Sequence, residues 1–253
     1  MRVFALSDIH VDYDVNAKWI EQLSKFDYRD DLLILAGDVT HKQSLLAWCL
    51  GTLAARFHRV LFVPGNHDLW VLGEAKEITS LQKFREVTAT VESNGASMQP
   101  FFKNGVFVAP LFGWYDYSFG EPSEELTHMW MDFRACRWPD GFGPGQAAAH
   151  FADMNPESVP HDASKVITFS HFLPRLDLVP VWVPSKHRVL DPVLGSTRLE
   201  EQLRRLAPDI HVYGHSHINR DVRIDGIRYI NNAFGYPHED VIAAKRLLCI
   251  EEI

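Results

Sequence analysis

Hydrophobic residues are arranged along this chain in short continuous runs that alternate with longer amphipathic stretches. Continuous runs, typical of strands buried on both faces, occupy residues 2–6, 31–36 and 59–63. Between these runs, residues 15–27 and 42–57 place apolar side chains at helical spacing. The order strand, helix, strand, helix, strand predicts a layered α/β domain.

The rest of the chain continues this alternation and adds turn signals. The predicted elements are a helix over 74–93, strands over 97–102, 106–110, 165–170 and 209–213, a helix over 197–207, paired strands over 221–224 and 227–230, and a last strand over 247–250. Asn104-Gly105 and Asp225-Gly226 each join two apolar runs and predict tight hairpins. Asp14, Ser123 and Ser196 are the predicted helix N-caps. Because no repeat or linker interrupts the pattern, residues 1–253 are expected to form a single domain.

Residues 113–160 depart from the alternation. This segment is dense in Gly, Pro, Trp and Tyr, with short helices predicted near 124–133 and 146–153. A long aromatic insertion between strands is a candidate lid over a site, and a structural flap that covers core is the alternative. Arg134 and Arg137 are its candidates for holding an anionic substrate.

Composition narrows the class of protein. Apolar residues make up 46% of the chain, enough for a substantial core, and no run of about 18 apolar residues predicts a membrane span. The formal charge of −8 does not favour nucleic acid as a partner. Three widely spaced cysteines without a Cys-x-x-Cys pair indicate reduced thiols in a cytoplasmic protein. The oligomeric state leaves no signal in the sequence.

Chemically useful side chains lie where the predicted strands end. They are Asp8 and His10, Asp38, then Asn66, His67 and Asp68, then His171, and finally His215 and His217. Ligands of open α/β sheets bind at the carboxyl ends of the strands, so we expect these side chains to lie close together. The i, i+2 spacing within Asp-x-His and His-x-His also directs both side chains to one side of an extended chain.

Seven of these residues offer oxygen or nitrogen ligand atoms: Asp8, His10, Asp38, Asn66, His171, His215 and His217. Seven ligands are too many for one tetrahedral ion, but they fit two ions that share a carboxylate. A mixed set of oxygen and nitrogen ligands accepts Mn, Fe or Zn. Two ions about 3.5–4 Å apart bridge a water, lower its pKa and bind two phosphoryl oxygens. His67 remains as a proton donor to the leaving oxygen or as a stabiliser of the equatorial oxygens. Asp68 beside it is the candidate for orienting the imidazole.

These motifs resemble those of the calcineurin-like metallophosphoesterases. The matching residues are Asp8-Ile9-His10, Gly37-Asp38, Gly65-Asn66-His67-Asp68, His171 and Gly214-His215-Ser216-His217. The resemblance implies a mixed α/β fold, built as a four-layer α/β/β/α sandwich, with a dinuclear metal site. It also implies that one ion is held by Asp8, His10 and His217 and the other by Asn66, His171 and His215, with Asp38 as the bridge and His67 as the catalytic histidine.

The expected function is metal-dependent hydrolysis of a small-molecule phosphate ester, either a diester or a monoester, by a metal-bridging hydroxide. The segment Gly37-Asp38-Val39-Thr40-His41 lacks the Arg of the Ser/Thr phosphatases and the Tyr of purple acid phosphatases. It looks more like the small-molecule phosphodiesterase branch. A non-catalytic scaffold and a nuclease of the same fold are the alternatives. The complete ligand set with His67 favours an enzyme, and the acidic composition disfavours a nuclease.

Overall fold

The computed structural model describes residues 1–253 and contains both strands and helices. The strands are β1 (Arg2–Leu6), β2 (Leu32–Ala36), β3 (Arg59–Val63), β4 (Ala96–Ser97), β5 (Phe101–Lys103), β6 (Val106–Pro110), β7 (Lys165–Phe169), β8 (Ile210–Tyr213), β9 (Arg220–Ile224), β10 (Ile227–Asn231) and β11 (Leu248–Glu252). The helices are α1 (Asp14–Gln22), α2 (Gln43–Ala54), α3 (Ser80–Ser93), α4 (Glu124–Met129), α5 (Asp132–Ala135), α6 (Pro144–Ala152), α7 (Asp191–Leu194) and α8 (Thr197–Leu206).

The strands form two mixed sheets. The first has the order β11-β1-β2-β3-β4 and is parallel except for β11, which pairs antiparallel with β1. The second has the order β5-β6-β7-β8-β10-β9, with the antiparallel strands β5 and β9 at its edges. A single hydrophobic core draws buried residues from both sheets and from the helices. The predicted mixed α/β architecture of two sheets flanked by helices is confirmed.

The predicted strand over 97–102 is wrong in one instructive respect. The structure divides this stretch into β4, the last strand of the first sheet, and β5, the first strand of the second. Pro100 lies between them and has no backbone N–H to donate to a ladder, which favours a break. The chain therefore passes from one sheet to the other within a few residues. Side-chain periodicity alone does not reveal this change, because it does not specify the partner strand.

Local signals place the other elements well, but several helix ends differ; for example, the helix predicted over 15–27 ends at Gln22 and the one predicted over 42–57 ends at Ala54. Helix α1 begins at Asp14 itself with Tyr13 as the N-cap, and the predicted helix over 124–133 is broken at Trp130 into α4 and α5. Helix α3 begins at Ser80, later than expected, because Thr79 and Gln82 form a capping box there. The caps at Ser123 and Ser196 and the hairpins β5–β6 and β9–β10 are confirmed. None of the helices combines the length and hydrophobicity needed to cross a membrane.

Candidate metal centre

The predicted site residues converge where strands of the two sheets end. All seven predicted metal ligands are buried, with at most 8% of each residue exposed: Asp8, His10, Asp38, Asn66, His171, His215 and His217. They divide into two groups. In the first, one ligand atom from each of Asp8, His10, Asp38 and His217 lies within 4.8 Å of all the others. His217 Nε2 lies 3.2 Å from His10 Nε2 and 3.4 Å from Asp8 Oδ1.

The second group contains Asp38, His171 and His215, whose ligand atoms also lie within 4.8 Å of one another. His171 Nε2 lies 3.0 Å from His215 Nδ1 and 3.4 Å from Asp38 Oδ1. Asn66 Oδ1 joins this group, 3.1 Å from His171 Nε2. Asp38 therefore belongs to both groups, as a carboxylate shared by two ions must.

Several residues of the site have positive backbone φ angles, which residues other than glycine adopt rarely. Five of the predicted ligands have positive φ, namely Asp8 at 53°, His10 at 42°, Asp38 at 56°, His215 at 69° and His217 at 55°. Such strain persists where the surrounding structure holds it, and it clusters at functional sites. At Gly65 an added Cβ would clash with Asp38 Oδ1 and lie 2.7 Å from His171 Nε2, so only glycine fits beneath the cluster.

Backbone and carboxylate acceptors orient three of the imidazoles. Nδ1 of His171 donates to the carbonyl oxygen of Ala36 at 2.9 Å, and Nε2 of His215 donates to that of Val193 at 3.0 Å. In a neutral imidazole the opposite nitrogen is then unprotonated and free to bind a metal. In both residues that nitrogen points toward the second group, since His171 Nε2 and His215 Nδ1 face each other there. The third imidazole is that of His217, whose Nδ1 lies 2.6 Å from the Glu239 carboxylate.

The charges of the cluster fit a bound cation. Asp8 and Asp38 form ion pairs with histidines alone, without any Lys or Arg. Burial raises the pKa of Asp38 well above its ordinary value, and the nearby charges of Asp8 and Asp68 add to this. Burial lowers the pKa of His217, but Asp8 and Glu239 outweigh it and raise that pKa to about 10. Positive charge is thus favoured here, and the oxygen and nitrogen donors suit Mn, Fe or Zn.

His67 stands beside the cluster and outside both groups. Its Nε2 lies 3.8 Å from Asp38 Oδ2, and 18% of its side chain remains exposed, more than that of any predicted ligand paired with Asp38. The imidazole stacks on the indole of Trp70 with ring centroids 3.7 Å apart and planes at 26°. The imidazole therefore has a fixed wall on one side and reaches solvent.

The predicted role of Asp68 in orienting the His67 imidazole is corrected by the structure. The Asp68 carboxylate accepts backbone N–H bonds from Asp38, Val39 and Thr40 at 2.8, 2.9 and 3.0 Å, and from Gly65 at 2.8 Å. These bonds use the carboxylate fully and do not involve the imidazole. Asp68 instead joins the turn after β2 to the turn after β3, and so holds the backbone that presents Asp38.

The two predicted substrate arginines differ in their hydrogen bonds. One terminal nitrogen of the Arg137 guanidinium donates to the carbonyl oxygens of Ala75, Lys76 and Ile78 at 2.7–2.8 Å, which ties this side chain to the segment before α3. Arg134 is exposed, and its only side-chain hydrogen-bond partner is the Met131 sulfur at 3.3 Å. Substrate binding by Arg134 and Arg137 stays a prediction.

Comparison with known proteins decides the family. A model of the calcineurin-like phosphoesterases matches residues 1–219. The chain belongs to the calcineurin-like phosphoesterase family. This phosphoesterase is 28% identical over 265 aligned positions to the acyl-carrier-protein phosphodiesterase PptH of Mycobacterium tuberculosis, covering 94% of this chain and 78% of that protein. The crystal structure of phosphopantetheinyl hydrolase PptH from the same organism superposes with a TM-score of 0.72 at 24% identity, covering 94% and 90% of the two chains, and supports the same fold. The expected enzyme class, a hydrolase of phosphate esters, is confirmed.

The site of this phosphoesterase contains residues that the sequence did not indicate. Glu239 Oε2 lies 2.6 Å from His217 Nδ1, and the Tyr236 ring lies 4.6 Å from that of His10. Residues 113–160 also reach the site, because the Trp130 ring lies 5.7 Å from that of His215 and Asp132 accepts a bond from Asn66. No strand-end motif marks these residues; the aromatic composition of the insertion was the only sequence signal, and it covers Trp130 and Asp132 but not Tyr236 or Glu239.

Proposed function

We propose that this phosphoesterase is a phosphodiesterase with a dinuclear centre of Mn, Fe or Zn. Asp8, His10 and His217 would hold one ion, Asn66, His171 and His215 would hold the other, and Asp38 would be shared by both. The observation that carries this proposal is the membership of Asp38 in both groups of ligand atoms, each spanning no more than 4.8 Å. The two ions supply a nucleophilic water of lowered pKa and neutralise charge on the phosphoryl oxygens.

The chain's own residues provide orientation and a proton. His67 lies at the exposed side of the cluster, within 3.8 Å of Asp38, where the leaving oxygen of an ester bound at the centre would lie. Burial and the neighbouring imidazoles lower the pKa of His67 well below its ordinary value. An anionic phosphate beside the imidazole opposes this effect and favours the protonated form. We assign His67 the role of proton donor to the leaving oxygen.

The relatives supply the substrate hypothesis. PptH is described as an acyl-carrier-protein phosphodiesterase and as a phosphopantetheinyl hydrolase. We propose that this chain likewise hydrolyses a phosphodiester that carries a phosphopantetheine group, a finer substrate than the small-molecule phosphate ester expected from its motifs. The three cysteines are free, in keeping with the cytoplasmic location that the sequence predicts.

The test compares two chromogenic esters and one biological diester. Protein stripped of metal and reloaded with Mn is assayed on para-nitrophenyl phosphate, on its bis-ester and on a holo acyl carrier protein. Preference for the bis-ester, with conversion of the holo carrier to its apo form by intact mass, is the expected result. Preference for the monoester would refute the diesterase proposal. Hydrolysis of the bis-ester with an unchanged carrier protein would refute the substrate alone.

A further inference from the structure

A buried carboxylate in the insertion links two parts of the site. Asp132, on α5, is only 3% exposed. Its Oδ1 accepts hydrogen bonds from Asn66 Nδ2 at 2.9 Å and from Trp70 Nε1 at 2.6 Å. Its Oδ2 accepts from Trp130 Nε1 at 2.8 Å. No cation pairs with this carboxylate, so these donors alone compensate for its burial.

The bond to Asn66 decides which way its amide faces. A carboxylate only accepts hydrogen bonds, so the NH₂ group of Asn66 must point toward Asp132. The amide oxygen then points the other way, where it lies 3.1 Å from His171 Nε2 in the second ligand group. With the amide turned over, an NH₂ group that binds no metal would face the ion. Asp132 thus sets the one orientation of Asn66 that allows coordination.

The bond to Trp70 fixes the wall beside the proton donor. The indole whose N–H is held by Asp132 is the same ring that stacks on His67 at 3.7 Å. Rotation of this indole would break a charge-assisted hydrogen bond in a buried position. The same Oδ1 atom therefore determines the position of the ring against which His67 rests.

We propose that Asp132 is a positioning residue, through which the 113–160 insertion orients Asn66 for metal binding and holds Trp70 against His67. On this view the insertion is a fixed structural support of the site and not the mobile lid that its composition suggests. The inference rests on the proposed function, because it takes Asn66 as a metal ligand and His67 as the proton donor.

The informative variant is Asp132→Asn, which keeps the shape of the side chain and replaces one acceptor with an amide donor. Asp140→Asn is the matched control, because it makes the same substitution at an exposed carboxylate of the same insertion. For each protein we would measure metal affinity by titration of the stripped form, thermal unfolding, and kcat and KM on bis-para-nitrophenyl phosphate. Metal titration reports on Asn66 even without turnover.

For Asp132→Asn we expect the metal site that includes Asn66 to lose about 10- to 100-fold in affinity, the usual effect of removing a partner of a ligand. With metal saturating, kcat should still fall and KM change little, because the Trp70 wall no longer holds His67. Asp140→Asn should retain metal affinity within about threefold, since all the hydrogen bonds of Asp132 remain. Parent-like metal affinity and kcat in Asp132→Asn would overturn the inference, and so would equal losses in both variants.

Two further outcomes separate this inference from the proposed function. If Asp132→Asn fails to fold, Trp70→Phe removes the N–H together with part of the indole and keeps a smaller aromatic ring at this position. It should lower kcat at unchanged metal affinity, and unchanged kcat would overturn the Trp70 step. If the parent binds two metals but hydrolyses no ester, the proposed function fails, while the loss of metal affinity in Asp132→Asn still decides the role of Asp132.

Discussion

His217 Nδ1 lies 2.6 Å from Glu239 Oε2, and the opposite ring nitrogen of His217 faces Asp8 at 3.4 Å. The carboxylate fixes the ring orientation and makes the metal-facing nitrogen more basic. Changing Glu239→Gln should therefore weaken metal binding by about 10- to 100-fold. Isothermal titration with Mn measures this. Asp240→Asn, which removes the same charge from the exposed neighbour, should leave the affinity unchanged, and equal effects would indicate general electrostatics instead.

His67→Ala should separate metal binding from turnover. His67 belongs to neither ligand group, so the variant should bind two metals as the parent does. Its kcat should fall by about 10²- to 10⁴-fold, the usual contribution of a positioned acid. Metal analysis and steady-state kinetics check both, with His161→Ala, at a fully exposed imidazole, as control. A parallel loss of metal would mean that His67 is a ligand.

Asp68→Asn should damage the backbone of the site. The Asp68 carboxylate accepts four backbone N–H bonds from the turns after β2 and β3, and an amide cannot accept all of them. We expect a loss of about 1–3 kcal/mol in the free energy of unfolding, since a buried donor loses its acceptor. Urea unfolding of the stripped protein measures this. Unchanged stability with reduced kcat would instead restore the idea that Asp68 acts on His67.

Asp38→Asn should abolish activity and increase the stability of the metal-free protein. Burial, with the charges of Asp8 and Asp68, raises the pKa of Asp38 well above that of the unfolded chain, so its ionised form destabilises the metal-free fold near neutral pH. The variant should lose activity and tight metal binding. In EDTA near neutral pH it should be more stable than the parent, because the amide has no charge to keep away from water. Equal or lower stability in EDTA would contradict this electrostatic account.

His211 should make the metal-free protein sensitive to acid. This fully buried residue of β8 lies between Thr168 Oγ1 at 2.8 Å and Ser170 Oγ at 3.0 Å, and burial lowers its pKa to about 3. The unfolded chain binds the proton near pH 6.5, so stability falls as pH decreases from about 6.5 toward 3. At about pH 5 the loss from this residue is about 2 kcal/mol relative to neutral pH.

The test for His211 is the pH dependence of His211→Gln against the parent, by urea unfolding in EDTA. The variant should be less stable near neutral pH, because it loses hydrogen bonds to Thr168 or Ser170. Between about pH 7.5 and pH 5 the difference should shift by about 2 kcal/mol in favour of the variant, which lacks the titrating imidazole. Parallel pH curves would show that His211 does not titrate on unfolding.

The sequence by itself determined the strands and the side chains at their carboxyl ends. Apolar runs define β1, β2 and β3 because a strand covered on both faces must be apolar throughout. The polar residues directly after each run are then placed by chain direction alone, which is why the order of residues suffices to bring Asp8, Asp38 and Asn66 together. Each strand and the polar residues that follow it are adjacent in the chain, so the local sequence pattern is enough to predict them.

Only the tertiary structure decided what surrounds those residues. Asp132 and Asn66 are 66 positions apart in the chain, and Glu239 and His217 are 22 apart, so no periodicity links either pair. Asp68 lies next to His67 in sequence, yet its carboxylate binds backbone groups and not the imidazole. The partners of a buried polar group are set by how separate segments pack, and side-chain spacing along one segment carries no information about that packing.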